Sequence, residues 1–199
     1  MARVSLAFSD VYFIRTIIEI KKNPLIGRKT LSCKIGISEG SMRTLLNHFK
    51  EQDILTATHK GHSLTPAGDK IISGFLNFAS FPFEISLPDM TRDKCIGIIL
   101  KDASEKIKSG IEERDIAIRE GCNGAYILLY ANNEFKFPSV NTSIFDYPVS
   151  HEYLNNIARR ENLKENDVIV ICFADDFINA ENGVIKISLN KQNFNWKLF

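Results

Sequence analysis

GRKTLSCKIGISEGSMRTLLNHFKEQDILTATHKGHSLTPAG, residues 27 to 68, sets two short amphipathic segments, two β-prone runs and a proline-led restart in immediate succession. The spacing predicts a first helix from Gly27 to Ile35, a turn at Gly36-Ile37, and a second helix that opens at Ser38 and runs to about Gln52. Ile54 to Thr58 and Ser63 to Thr65 then read as short strands closed by His59-Lys60-Gly61-His62. Thr65-Pro66-Ala67-Gly68 opens a further helix. Two helices, a turn and a hairpin in this order are the parts of a winged helix-turn-helix, whose second helix can enter a DNA groove.

In that second helix Met42, Leu45, Leu46 and Phe49 share one face and are expected to pack on Leu31 and Ile35. The opposite face presents Gly40, Thr44, Asn47 and Glu51, flanked by Arg43 and His48. Arg43 is the main candidate for a base or phosphate contact, and Asn47 for a base edge. Gly40, with no side chain, lets the helix start come close to a phosphate or base edge. Ser38 and Ser41 can cap the helix or donate to phosphates, and Glu39 complements the helix dipole. At the wing, Lys60 with His59 and His62 is expected to project toward a minor groove or phosphate. The two histidines lack acidic or thiol companions, so no metal is expected there. Arg28 and Lys29, at the start of the first helix, are phosphate-clamp candidates or part of a solvated face.

Charge is divided along the chain. Residues 1 to 80 carry 11 Lys/Arg against 6 Asp/Glu, and residues 81 to 199 carry 14 against 18. A basic front and an acidic back fit a nucleic-acid-binding head on a body with another task, or chance asymmetry. Cys33, Cys95, Cys122 and Cys172 lie far apart with no CxxC pair, which leaves zinc and redox motifs unsupported; Cys95 and Cys172 read as small buried hydrophobes. No charged leader or long apolar segment is seen, so a cytoplasmic protein without a membrane partner is expected.

Residues 10 to 22, DVYFIRTIIEIKK, read as a helix with Ser9 or Asp10 as N-cap and Asn23-Pro24 as its stop. Its apolar positions occupy nearly the whole wheel, and the helix opening at Pro66 is also broadly apolar through Ile71, Ile72, Phe75, Leu76 and Phe78. Both fit either a homodimer or packing on the chain's own second domain. Phe81-Pro82-Phe83 and Leu87-Pro88-Asp89 mark the junction, giving domains 1–80 and 81–199. Beyond it, 95 to 101 reads as a strand, 103 to 120 as a helix ending at Gly121, and Ala125 to Tyr130 as a strand turning at Asn132-Asn133 into Glu134 to Phe137. A polar loop to about Ser150, a helix to about Arg160 and a strand at 168 to 174 follow. Asp176 to Asn190 alternates partly like a strand, but Asp176 as N-cap and Ala180, Val184 and Ile187 at helical spacing favour a helix. The expected fold is α+β in two domains: an N-terminal winged helix-turn-helix and a C-terminal α/β domain with a small mixed sheet.

If the strands before them are parallel neighbours, Lys101, Asp102, Asp175 and Asp176 gather at one sheet edge and can bind a small-molecule effector. The alternative is that Asp176 caps the last helix and Lys101 pairs with a nearby acid. Arg114 falls within a stripe of Ala103, Ile107, Gly110, Ala117 and Ile118, where it needs an anionic partner. A structural salt bridge or subunit contact suits it better than a ligand role. No Walker loop, GxGxxG, GxSxG, HExxH or HxE with PCxxC occurs, so neither catalytic residues nor a cofactor is expected.

The segments 27–55 and 59–68 resemble the winged-helix head of bacterial and archaeal transcription regulators. The whole chain, including SEKIKSGIEERDIAIREGCNGAYILLY and FADDFINAENG, resembles an archaeal family that joins this head to a C-terminal domain of unknown function. The resemblance implies a regulator of transcription on double-stranded DNA and carries over no catalytic or ligand residue. Two alternatives stay open. One is an enzyme with an appended winged helix, as in archaeal riboflavin kinases, although their β-barrel differs from this alternating half. The other is a winged helix used for protein assembly.

Overall fold

The computed structural model of the chain describes residues 9–138 and 144–192, so residues 139–143 of the expected polar loop lie outside the described residues. The described residues form two compact units that divide between Gly74 and Phe75. Seven α-helices and two antiparallel sheets, among the described residues, make it an α+β protein. No helix among them is long and apolar enough to cross a membrane.

The first unit holds α1 (Asp10–Lys22), α2 (Arg28–Ile35), α3 (Glu39–Glu51), the hairpin of β1 (Leu55–Thr58) and β2 (Gly61–Leu64), and most of α4 (Pro66–Leu76). Phe13, Ile14, Ile17, Leu31, Ile35, Met42, Leu45 and Phe49 are all buried, and the Phe13 and Phe49 rings meet edge-on with centroids 4.5 Å apart. Val11, Ile18 and Ile20 are buried as well. The breadth of the apolar surface on α1 is therefore satisfied within one chain, and it gives no reason to expect a homodimer.

Arg15 is buried on the same helix, with Nη1 donating to Ile35 O at 3.0 Å and Nη2 to Lys34 O at 3.1 Å. It supplies the last turn of α2 with donors that a helix end lacks. α2 then stops at Gly36, whose N–H returns to Ser32 O, and Ser38 starts α3 by accepting from Ser41 N.

The hairpin is tighter than its sequence suggests, because Thr58 pairs with Gly61 and only His59-Lys60 form the turn. Gly61 has φ of +138°, and a Cβ there would lie 1.9 Å from Leu25 O. The glycine admits the Leu25-Ile26 segment beside β2, where Leu25 N donates to His62 O and His62 N to Ile26 O.

The second unit is built on a five-stranded sheet in the order β3 (Phe83–Ile85), β4 (Lys94–Leu100), β7 (Val168–Ala174), β5 (Gly124–Ala131), β6 (Glu134–Lys136). Every pairing is antiparallel, which corrects the expected mixed sheet. The reason is topological. β4 and β5 run in the same direction and are joined through α5 (Ile111–Arg119), as a parallel pair would be, but β7 lies between them and opposes both. The Phe81-Phe83 stretch leads into edge strand β3 and is not merely a junction.

The single helix expected over 103 to 120 is also corrected. A short 3-10 turn, Ser104–Lys106, is followed by Gly110 in the left-handed region at φ +77°, and α5 starts only at Ile111. α5 and α7 (Phe177–Gln192) cover one face of the sheet. α6 (Pro148–Glu161) covers the other, where Leu154 and Ile157 pack with Ile169, Ile171, Cys95 and Leu128. Burial on both faces explains the unbroken apolar run of β7. Asp89 caps α6 by accepting from Val149 N and Ser150 N, and also from the Ser150 hydroxyl. Asp176 caps α7 by accepting from Asn179 N at 2.8 Å, so the ambiguous last segment is a helix.

Candidate functional site

α3 offers the molecule's clearest unused polar face. Its apolar residues are buried against the unit's core, while Gly40, Arg43, Thr44, Asn47, Lys50 and Glu51 are exposed. Arg43, Asn47 and Lys50, at i, i+4 and i+7, form one stripe. No hydrogen bond or ion pair among the described residues engages the Arg43 or Asn47 side chain. Lys50 was missed in the sequence reading, although the same spacing that selects Asn47 selects it.

The other expected contacts divide by geometry. Ser38 and Ser41 are joined to each other, Oγ to Oγ at 2.9 Å, and Ser38 Oγ also accepts the Ser41 N–H, so both are committed to the cap. The Thr44 hydroxyl turns back to Gly40 O at 3.1 Å. Arg28 reaches Glu39 at 3.5 Å and ties the start of α2 to the start of α3; Lys29 is exposed. His48 is half-buried beside the stripe. His59 and Lys60 are the exposed hairpin turn, with Lys60 N held by Thr58 Oγ1 at 3.1 Å. His62, expected at the tip, sits instead inside β2, with Nδ1 3.1 Å from Ile26 O. Two-residue closure leaves no place for it in the turn.

In the second unit, antiparallel pairing separates the four charges expected to converge. Lys94 pairs with Ala174 and Leu100 with Val168, so Lys101-Asp102 and Asp175-Asp176 lie at opposite ends of β4 and β7. Asp175 accepts from Asn123 Nδ2 at 3.0 Å, a group that also reaches Asp93 at 3.1 Å, and Asp176 is the α7 cap. Arg114 is exposed and lies 3.5 Å from Asp115, because the break at Gly110 resets the helical phase on which the buried stripe was drawn. Glu113 is the buried charge of α5, 2.5 Å from Lys191 Nζ.

Lys101 and Asp102 instead border an open cleft of about 730 Å³ shared with Phe81, Glu161, Glu165 and Asp167. Lys101 Nζ donates to Leu76 O at 2.6 Å, and Asp167 accepts from the N–H groups of Asp102 and Lys164. Its size suits a small molecule. Among the described residues no three His, Cys, Asp or Glu side chains gather to hold a metal ion.

A family model described as a domain of unknown function, DUF4443, matches residues 91–191. The chain belongs to that family. A second model, the PH0730-like N-terminal domain, matches residues 13–70, which cover α2, α3 and the hairpin. Among solved structures the chain is similar to a hypothetical protein, PH0730, from the archaeon Pyrococcus horikoshii OT3. The two share 29% identity, with 94% of each chain covered and a TM-score of 0.77. No curated protein matches the chain. The match extends over both units of this DUF4443 protein, so its two-unit architecture is common to the pair.

Proposed function

We propose that this DUF4443 protein is a winged-helix regulator of transcription that reads duplex DNA with α3 and responds to a small molecule held by the second unit. The observation that carries the reading is the exposed, uncommitted stripe of Arg43, Asn47 and Lys50 on a helix whose opposite face is fully buried. A helix so presented, after a short turn and before a hairpin, has the shape a major groove accepts. Arg43 and Asn47 read base edges, while Lys29, Lys50 and Lys60 hold phosphates. Gly40 and the capped start of α3 allow close approach to the backbone. The cleft beside Lys101 and Asp102 holds the effector, whose binding shifts the population of DNA-competent protein.

Fragments selected from the genomic DNA of the source organism, followed by fluorescence anisotropy over a salt series, test this. Arg43→Ala is expected to cost about 1–3 kcal/mol on the selected site and to relax sequence preference. Lys60→Ala is expected to weaken selected and random duplexes alike and to lower the salt slope by about 1. Absence of duplex binding at low salt, or unchanged specific binding by Arg43→Ala, overturns the reading. A thermal-shift screen of metabolites, repeated on a Lys101→Ala variant, tests the effector cleft.

A further inference from the structure

Two cysteines distant in sequence meet beneath α7. A Cβ built on Gly183 would lie 2.5 Å from Cys122 Sγ and 2.9 Å from Cys172 Sγ, so the sulfurs are no farther apart than the sum of those distances. Glycine at this point of the helix leaves the two thiols room to meet. Cys122 Sγ donates to Asn179 O at 3.2 Å. Cys122 sits just after α5, where its N–H reaches Ala117 O, and Cys172 lies in the central strand β7. The other two cysteines are set apart: Cys33 is exposed on α2, and Cys95 packs on the α6 face of the sheet with its Sγ 3.5 Å from Asp93 O.

We propose that Cys122 and Cys172 are a reversible dithiol–disulfide modification site whose oxidant is a hydroperoxide. Cys122 is the attacking sulfur and Cys172 the resolving one. The hydrogen bond from Cys172 holds the Cys122 thiol below its ordinary 9.0 despite burial, whereas burial first, and then that same bond, push Cys172 upward. Burial and Asp93 push Cys95 up to about 11, which leaves it inert by comparison. The Cys122 thiolate attacks the terminal peroxide oxygen, the O–O bond breaks, and an alcohol leaves with one proton, giving a sulfenic acid on Cys122. Cys172 sulfur then attacks the Cys122 sulfur; the S–O bond breaks, and hydroxide leaves as water with the Cys172 proton. In total, two thiols and one hydroperoxide become one disulfide, one alcohol and one water.

The test uses the full chain with Cys33→Ser, which removes the exposed thiol as a source of links between molecules. The folded protein is treated with tert-butyl hydroperoxide, alkylated, and analysed by intact mass and by digestion without reductant. The expected result is a mass lower by two hydrogens, a peptide pair joined through Cys122 and Cys172, and recovery of both thiols with dithiothreitol. Adding Cys172→Ser is expected to abolish the link and leave a sulfenic acid on Cys122 that dimedone traps. The proposal is overturned if both thiols of the native protein remain alkylatable, if Cys95 is oxidised first, or if the link forms only after unfolding in urea. None of these readouts depends on DNA binding.

Discussion

Arg15→Met keeps the aliphatic stem of a side chain that is only 1% exposed and removes the guanidinium that meets Lys34 O and Ile35 O at 3.1 and 3.0 Å. Those carbonyls close the last turn of α2, where the helix supplies no N–H of its own. A hydrogen bond to a charged donor contributes about 1.5–3 kcal/mol, and at least these two are lost. Part of that loss is offset because methionine has no charge to desolvate. The net expectation is a destabilisation of about 3 kcal/mol, which raises the opening equilibrium of α2 by about a hundredfold. Native-state hydrogen exchange reads this as faster exchange of the α2 amides and of the first turn of α3, together with a lower urea midpoint. Because α2 and the Gly36 turn set the start of α3, the variant is also expected to bind DNA more weakly while retaining every proposed contact residue. Unchanged α2 exchange and an unchanged midpoint would refute the reasoning, and would mean that water serves the two carbonyls as well as arginine does.

Gly61→Ala drives a methyl group into Leu25 O at a backbone angle that alanine resists, and a loss of at least about 2 kcal/mol is expected from the melting temperature. Lys191→Met strands the carboxylate of Glu113, which is 1% exposed, and is expected to cost about 3–5 kcal/mol in urea unfolding. Adding Glu113→Gln should recover part of that loss; no recovery would show that the pair is not coupled. For Asp89, burial pulls the pKa upward, but hydrogen bonds from the Ser150 hydroxyl and from the N–H groups of Val149 and Ser150 outweigh it and hold the carboxyl below its ordinary 3.8. Its contribution to α6 is therefore fully present above that ordinary value and is lost as pH falls through the lowered one. Asp89→Asn should flatten the acid limb of the stability profile, and an unchanged limb would count against the cap.

Local chemistry made much of the fold legible. The glycine and serine flanking the α2–α3 turn, the alternation of apolar residues on α3, and the asparagine pair after β5 each act within a few residues, so their spacing alone announces the element. Asn132 and Asn133 indeed take left-handed φ values of 54° and 61° at the turn into β6. What could not be read was partner choice. An apolar strand, a helix and another apolar strand look the same whether the strands touch or leave a gap, and β7 filling that gap reversed the placement of Asp175 relative to Lys101. Gly110 fits the apolar stripe around Arg114 by spacing, whereas its left-handed backbone breaks that stripe and α5 starts only after it. The burial of Arg15 leaves no local signal, because its partners lie 19 and 20 residues away. The exposure of Arg43 and Asn47 was legible through helical phase, but the withdrawal of His62 depended on a two-residue turn set by Gly61 and the Leu25-Ile26 segment.

The position of β7 in the sheet also bears on how the chain is made. The strand that joins the two halves of the sheet is the last to leave the ribosome, since residues 168–174 pair with β4 and β5, strands that never pair with each other. Until it arrives, β4 and β5 each carry an unpaired edge, an arrangement open to wrong partners. The second unit thus closes late and through distant contacts, which favours slow assembly. The described helices and hairpin of the first unit all precede the second in the chain and can begin to pack while the second is still being synthesised.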